Sequence, residues 1–389
     1  MRNAHFAGIR RVTWIGRLRV AALVASGWMM GTAACAADLV IAHVGPFTGP
    51  LAVNGEANYA GAKAYFDQVN AQGGIGGRKI RYVREDDAYK PEETIRLLKL
   101  VAERDKPLAF VNILGSANVT ELLKARTLDQ LEVPVVGVTP GSESLRTPGS
   151  PHLFHLQAGD RAQLNAILGH LSTIGITRVA VVYQDIPFGK TGHGFAEQLA
   201  GPKGVTVVGK VPLAAGSNDA RTAAAEMRKL NAQTYLLILT PNSGAAFARD
   251  ARNAGDATPI YGMSYVTAQG VVEQVGAGKA EGIGLAQVTP NPQSQATGLT
   301  RDFQSAMKAH APQGTELSAM SLTGYIAARV TVEAIKRAGA NPTPATVDAA
   351  LRKLKVDLGN FQIDLSNGDN VGSRMVEIGV ISRAGTLRY

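Results

Sequence analysis

The side chains that could do chemistry are few, and most sit in the wrong context for it. His152 and His155 have a spacing seen in metal sites. They lie in a short extended segment beside Pro151 with no partner cluster, which argues against zinc. Gly73-Gly74-Ile75-Gly76-Gly77 resembles a phosphate loop in composition only. It follows a helical pattern and precedes a strand, the reverse of a dinucleotide fingerprint, so it reads as a turn. Ser142 and Ser144 lack the strand–turn–helix setting of a hydrolase nucleophile. Glu85-Asp86-Asp87 reads as a solvated strand end rather than a metal site. No Ser/His/Asp set or carboxylate pair stands out, so no catalytic residue, metal or cofactor is expected.

Four loops of a different kind share one position. Gly45-Pro46-Phe47-Thr48-Gly49, Gly115-Ser116-Ala117-Asn118, Thr139-Pro140-Gly141-Ser142 and Gln184-Asp185-Ile186-Pro187-Phe188-Gly189 each follow a predicted strand. Open α/β sheets bind ligands at that edge. The second loop opens a helix, with Asn118 as the expected N-cap and Glu121 three residues on. Its free N–H groups and the Ser116 hydroxyl suit a carboxylate.

The elements behind these loops alternate. Strands are predicted at Leu39 to Val44, Lys79 to Arg84, Leu108 to Ile113 and Pro134 to Val138. Between them lie helices at Gly55 to Asn70, Pro91 to Glu103 and Asn118 to Leu128. The first helix carries Tyr59, Ala62, Tyr65, Phe66 and Val69 on one stripe. A second round of the same alternation runs from Arg161 to Val288. Two helical patterns follow, Thr300 to Ala309 and Leu317 to Ala338, then strands at Phe361 to Leu365 and Met375 to Ile381. Strict alternation implies α/β architecture with parallel sheets covered on both faces.

A chain of 389 residues suits two such units, and 45% hydrophobic with 18% charged residues is a globular composition. The formal charge of +9 is concentrated at the start. Five arginines fall in the first 19 residues, and without them the balance is 35 basic against 31 acidic, or +4. That gives little support to nucleic-acid binding. Residues 1–37 read as a secretory signal: an arginine-rich start, an apolar run from Val20 to Met30, then small residues. The run is shorter than the roughly 20 residues of a membrane span. Cleavage near Ala36 to Asp38 and lipidation at Cys35 are both open. Arg10-Arg11 raises twin-arginine export, although the residues after it fit poorly. Cys35 is the single cysteine, so no disulfide framework is expected in the exported protein.

Taken together, Gly45 to Pro50, Asn70 to Gly77, Glu85 to Asp87, Val138 to Gly141 and Asp185 to Gly189 resemble the periplasmic branched-chain amino-acid (leucine)-binding proteins of ABC importers. The resemblance covers residues 38–389. It implies a type I periplasmic binding protein: two doubly wound parallel-sheet lobes joined by a three-strand hinge that closes on ligand. It places lobe 1 at 38–157 plus 289–357 and lobe 2 at 158–288 plus 358–389. Carried over residue by residue, it implies a carboxylate contact at Ser116 and a carbonyl from Gly141. It aligns Phe188 with the second-lobe aromatic, Thr240 with a family tyrosine, and Glu143 with a family hydroxyl. Asn54, Ala117, Thr139 and Tyr265 complete the expected ligand contacts. The family's acid for the ligand ammonium aligns with Ser264, and that loss removes a contact of about 1.5–3 kcal/mol.

Two functions remain open, solute capture for import and ligand sensing through a protein partner. Import implies a small-molecule ligand, an inner-membrane ABC permease as partner, a periplasmic location and a monomer. The ligand class is an amino acid, an aromatic or aliphatic carboxylate, or an amide. Glu143 decides among these if it faces the cleft, and decides nothing if it points to solvent.

Overall fold

The computed structural model describes residues 1, 37–49, 51–139, 142–147, 149–214 and 216–389. The proposed signal, Cys35 included, and Gly141 lie outside the described residues. Asp38–Tyr389 forms one compact unit.

The first round runs β1 Leu39–Gly45, α1 Ala52–Ala71, β2 Ile80–Asp86, α2 Pro91–Asp105, β3 Ala109–Leu114, α3 Ser116–Lys124, α4 Thr127–Leu131, β4 Val135–Thr139 and β5 Leu153–Phe154. Its sheet has the order β2-β1-β3-β4-β5, and every pairing is parallel. β3 is buried at all six positions, as a central strand covered on both faces must be. α2 shows how the helices are specified. Pro91 opens it, Glu92 and Glu93 sit in its first turn, and Thr94, Leu97, Leu98 and Val101 form one buried stripe.

The second round runs α5 Asp160–Thr173, β6 Arg178–Gln184, α6 Pro187–Ala200, β7 Thr206–Leu213, α7 Arg221–Lys229, β8 Thr234–Ile238, α8 Pro241–Asn253, β9 Ile260–Gly262, α9 Ala268–Val275, α10 Ala277–Ala280 and β10 Gly284–Gln287. The chain continues through α11 Gly298–His310, α12 Ala319–Arg337, α13 Pro344–Leu351, β11 Lys355–Asp357, β12 Gln362–Asp364, β13 Glu377–Ile381 and β14 Leu387–Arg388. The second sheet has the order β14-β13-β10-β9-β8-β6-β7. It is parallel from β7 to β10, and β13 and β14 extend it antiparallel.

Three differences from expectation have physical causes. The helix expected from Asn118 to Leu128 is two helices, because Arg126 takes a left-handed φ of 49° between them. Helices α9, α10 and α13 were not anticipated; at eight, four and eight residues they are too short to show a period. The tail strands do not share a sheet. β12 pairs with β11, and Leu358, Phe361, Ile363 and Leu365 lie in the core beside the first sheet. Residues 358–365, which the resemblance assigns to lobe 2, thus pack with the first sheet.

α11, α12 and α13 also pack on the first sheet, through Phe303, Tyr325 and Leu351. The chain thus passes between the sheets three times: after β5, after β10 and after β12. Among the described residues, no helix is long and apolar enough to cross a membrane.

α1 and α12 meet backbone to backbone through two glycines. A Cβ on Gly61 would lie 1.8 Å from the Ser321 carbonyl oxygen, and one on Gly324 would lie 1.9 Å from that of Asn58. Gly324→Ala is expected to force the helices apart and to cost about 1–3 kcal/mol or more of stability by urea unfolding. A loss within experimental error would show that this contact yields freely.

Candidate functional site

The carboxyl edge of the first sheet is held by two adjacent acids. Asp86 Oδ1 accepts from the backbone N–H groups of Phe47 (2.8 Å), Thr48 (3.1 Å) and Ala88 (2.9 Å), and its Oδ2 accepts from Thr48 Oγ1 (2.7 Å). Partial burial pushes its pKa up, but these hydrogen bonds outweigh that and hold it below the usual carboxylate value. Asp87 is fully buried and accepts from Thr94 Oγ1 (2.7 Å), Asn118 Nδ2 (3.2 Å) and the Tyr89 N–H (2.9 Å). Asp86 is exposed and Glu85 half-buried, as a solvated strand end should be, whereas Asp87 is buried; the pair ties the first ligand loop to β2 and α2 to α3. Asn118 is correspondingly not an N-cap. It is buried two residues inside α3, and Gly115, with φ of 102°, takes the cap position. The Tyr89 ring lies against Gly115, where any Cβ would meet it at 2.1 Å.

A cavity opens where the two rounds meet. Thr139, Arg146, Gln157 and Ala158 line it from the first round, Gln163, Ser264 and Tyr265 from the second, and Val288 from the end of β10. Its free volume is about 10 Å³, room for about one water. Its walls are hydrogen-bonded from behind. Gln157 Nε2 donates to Thr323 Oγ1 on α12 (2.6 Å), and Arg146 Nη1 donates to the Gln157 carbonyl (3.0 Å). The Ser264 N–H donates to Gln163 Oε1 (2.9 Å), and the Tyr265 hydroxyl donates to Asp160 Oδ1 (2.6 Å). Thr139 Oγ1 is buried with no hydrogen-bond partner among the described residues.

Burial raises the pKa of Asp160 to about 6, against the lowering effects of the Tyr265 hydroxyl and Arg146. Burial also lowers the pKa of Arg146, and the charges of Glu143, Tyr265 and Asp160 work to restore it. His155, buried beneath the same arginine, is lowered to about 3 by burial and by that charge, so it stays neutral at physiological pH.

The residues expected as ligand contacts divide. Thr139, Ser264 and Tyr265 line the cavity, and Phe188 stacks edge-on against Tyr265 at 5.2 Å. Ser116 and Ala117 open α3 and do not line the cavity; the N–H of Gly115, just before them, donates to the Thr139 carbonyl at 3.3 Å. Glu143 Oε1 accepts the Arg161 N–H at 3.2 Å, at the start of α5. Thr240 is not in the cavity lining; its N–H and hydroxyl both donate to Gln184 Oε1, at 3.2 and 3.0 Å, and so brace the end of β6. Asn54 is half-buried in the first turn of α1 and does not line the cavity. Sequence reasoning missed Arg146, Gln157, Ala158, Gln163, Val288 and the supporting Asp160. For Gln157, Ala158, Asp160 and Gln163 the one available signal was their position around the 157–160 crossing; Arg146 and Val288 lie apart from it in sequence. Among the described residues, no group of His, Cys, Asp and Glu could hold a metal ion. A larger groove, about 730 Å³, lies between α7 and α8, and none of these loops contributes to its lining.

Asp160 supplies a pH test. Its pKa is raised, from 3.8 to about 6, so the folded protein holds this proton more tightly than the unfolded chain. The resulting stability is full below about pH 4 and is lost as pH rises through about 6. Relative to Asp160→Asn, the wild type should lose roughly 3 kcal/mol across that window in urea unfolding. Parallel stability curves for the two proteins would refute the assignment.

Residues 38–386 match the family described as Periplasmic binding protein. A solved extracellular ligand-binding receptor from Verminephrobacter eiseniae is 36% identical with a TM-score of 0.85, over 90% of this chain and 100% of that one. A branched-chain amino acid ABC transporter protein from Thermus thermophilus, solved with bound valine, shares the fold at 20% identity and a TM-score of 0.79, over 90% and 94% of the two chains. Leu/Ile/Val-binding protein homolog 8 of Brucella abortus is 26% identical over 345 residues, 84% of this chain and 83% of that protein. An amino acid binding protein of Pseudomonas aeruginosa is 27% identical over 233 residues, 59% of this chain and only 61% of that protein's length. The chain belongs to the periplasmic binding protein family, whose members bind solutes and are not enzymes.

Proposed function

We propose that this chain captures a small amino acid, or a related organic acid or amide, in the periplasm and delivers it to an ABC permease. The observation that carries this reading is the cavity with walls drawn from both sheets, Thr139 and Arg146 on one side and Ser264 and Tyr265 on the other. A solute bound there is enclosed only if the two halves move about the three crossing segments, because the space seen is about that of one water. The relatives' ligands agree in scale: valine in the Thermus protein, and Leu/Ile/Val by name in the Brucella one.

Glu143 links the halves through the Arg161 N–H. Its charge sits beside the cavity arginine and disfavours a second anion there. Glu143→Gln keeps an oxygen for that N–H and removes the charge.

A thermal-shift screen with amino acids, aromatic and aliphatic acids and amides tests the reading. A true ligand at about 100 times its Kd should add about 2.7 kcal/mol of stability. The same ligand should reduce the radius of gyration in small-angle scattering. No stabilisation by any class would overturn solute capture. Stabilisation at constant radius would overturn closure alone.

A further inference from the structure

Two glutamines line the cavity, Gln157 from the first round and Gln163 from the second. A side-chain amide has a donor end and an acceptor end, so the partner of one end decides what the other offers. The Thr323 hydroxyl gives its proton to the Ala319 carbonyl, at 2.9 Å, and so accepts from Gln157 Nε2 at 2.6 Å. The end of Gln157 left over is the oxygen Oε1. Gln163 is held the other way round. The Ser264 backbone N–H can only donate, so it takes Gln163 Oε1, at 2.9 Å, and leaves Nε2. Neither leftover atom has a hydrogen-bond partner among the described residues. Gln163 is only 1% exposed, so its spare N–H groups are costly to leave unmet. Thr139 adds a buried hydroxyl that also lacks a partner among the described residues.

The cavity thus offers an acceptor from one round, a donor from the other, and a hydroxyl that can be either. All three are neutral. The charged member of the wall, Arg146, is different in kind. Burial lowers its pKa, and the charges of Glu143, Tyr265, Asp160 and Asp369 already act against that. A primary amide is the neutral complement of the open groups. Its carbonyl accepts and its N–H groups donate. A carboxylate brings no donor for the Gln157 oxygen, and an ammonium brings no acceptor for the Gln163 N–H groups. A site built on hydrogen bonds rejects analogues that leave one of its groups unpaired.

We propose that the solute binds through a neutral carboxamide, its carbonyl on Gln163 Nε2 and its N–H groups on Gln157 Oε1, with Thr139 beside them. This rests on the solute-capture reading above and narrows its ligand class. Because the two glutamines come from different rounds, one amide group ties both walls together.

Titration calorimetry with pentanamide and benzamide, each beside its acid and its amine, and with L-valine tests it. The wild type should bind at least one amide about 10-fold or more tightly than the matching acid and amine. Thr139→Val should weaken that amide by about 10-fold, and it should melt no earlier than the wild type without solute, because the lost hydroxyl holds nothing in the protein. Gln163→Glu keeps an oxygen for the Ser264 N–H and removes the donor, so it should weaken the amide by about 10- to 100-fold. If Gln163→Glu does not fold, the Thr139 variant and the wild-type comparison still decide.

An acid or amine bound as tightly as its amide would overturn the inference, as would amide binding undiminished in both variants. Binding of L-valine or of an acid with no binding of either amide would overturn it and leave solute capture standing. Failure of every compound, here and in the thermal-shift screen, would overturn capture, and this inference would fall with it.

Discussion

A parallel strand can be followed by another only after the chain has crossed back to its start. Every β-to-α loop of such a sheet therefore emerges at one edge. Here that constraint acts twice, once in β2-β1-β3-β4-β5 and once from β7 through β10. The three passages between the sheets bring parts of both halves around one small cavity. The antiparallel β13 and β14 lengthen the second sheet and leave the loops after β6, β8 and β9 on their own edge.

The two walls are built differently. The first-sheet edge is rigidly specified, with Asp86 fixing the loop after β1 and Asp87 joining α2 to α3 through Thr94 and Asn118. Arg84 adds to this by lying over the Phe47 ring at 3.9 Å. Losing one partner of such a buried set leaves polar groups stranded, at about 1–3 kcal/mol each. The opposing wall depends on contacts between distant segments, as where Gln163 holds the Ser264 N–H and Asp160 the Tyr265 hydroxyl. A buried arginine lies between them, and its neighbours Glu143 and Asp160 set the field that a solute enters.

The alternating rounds were legible because each long element carries its own period. The buried stripe of α2 and the continuous apolar run of β3 need no tertiary information. The strand-end loops were legible for the same reason, and Thr139, in one of them, lines the cavity; Ser264 and Tyr265, also in its wall, were implied only by the family resemblance. Arg146, Gln157 and Gln163 were not legible. They occupy a short turn, a crossing and a helix start, and they meet partners such as Ser264 and Thr323 only in the folded chain. Asn118 misled for a related reason. Its type and place suit a cap, yet burial of Asp87 beneath it gives its amide a stronger use. Thr240, which aligns with a family tyrosine, donates its hydroxyl to Gln184.

The central claim is that solute binds in the cavity between the two rounds. The most direct measurement is solute stabilisation of a Ser264→Trp variant beside the wild type. Ser264 is half-buried and bonds its neighbours through its backbone, so a large side chain there fills the cavity and leaves the Gln163 contact in place. The account predicts a lower melting temperature without solute, because a Trp overfills a space of about one water, and loss of the added stabilisation that the wild type shows with solute. Undiminished stabilisation in the filled variant would contradict the account and place the binding site elsewhere.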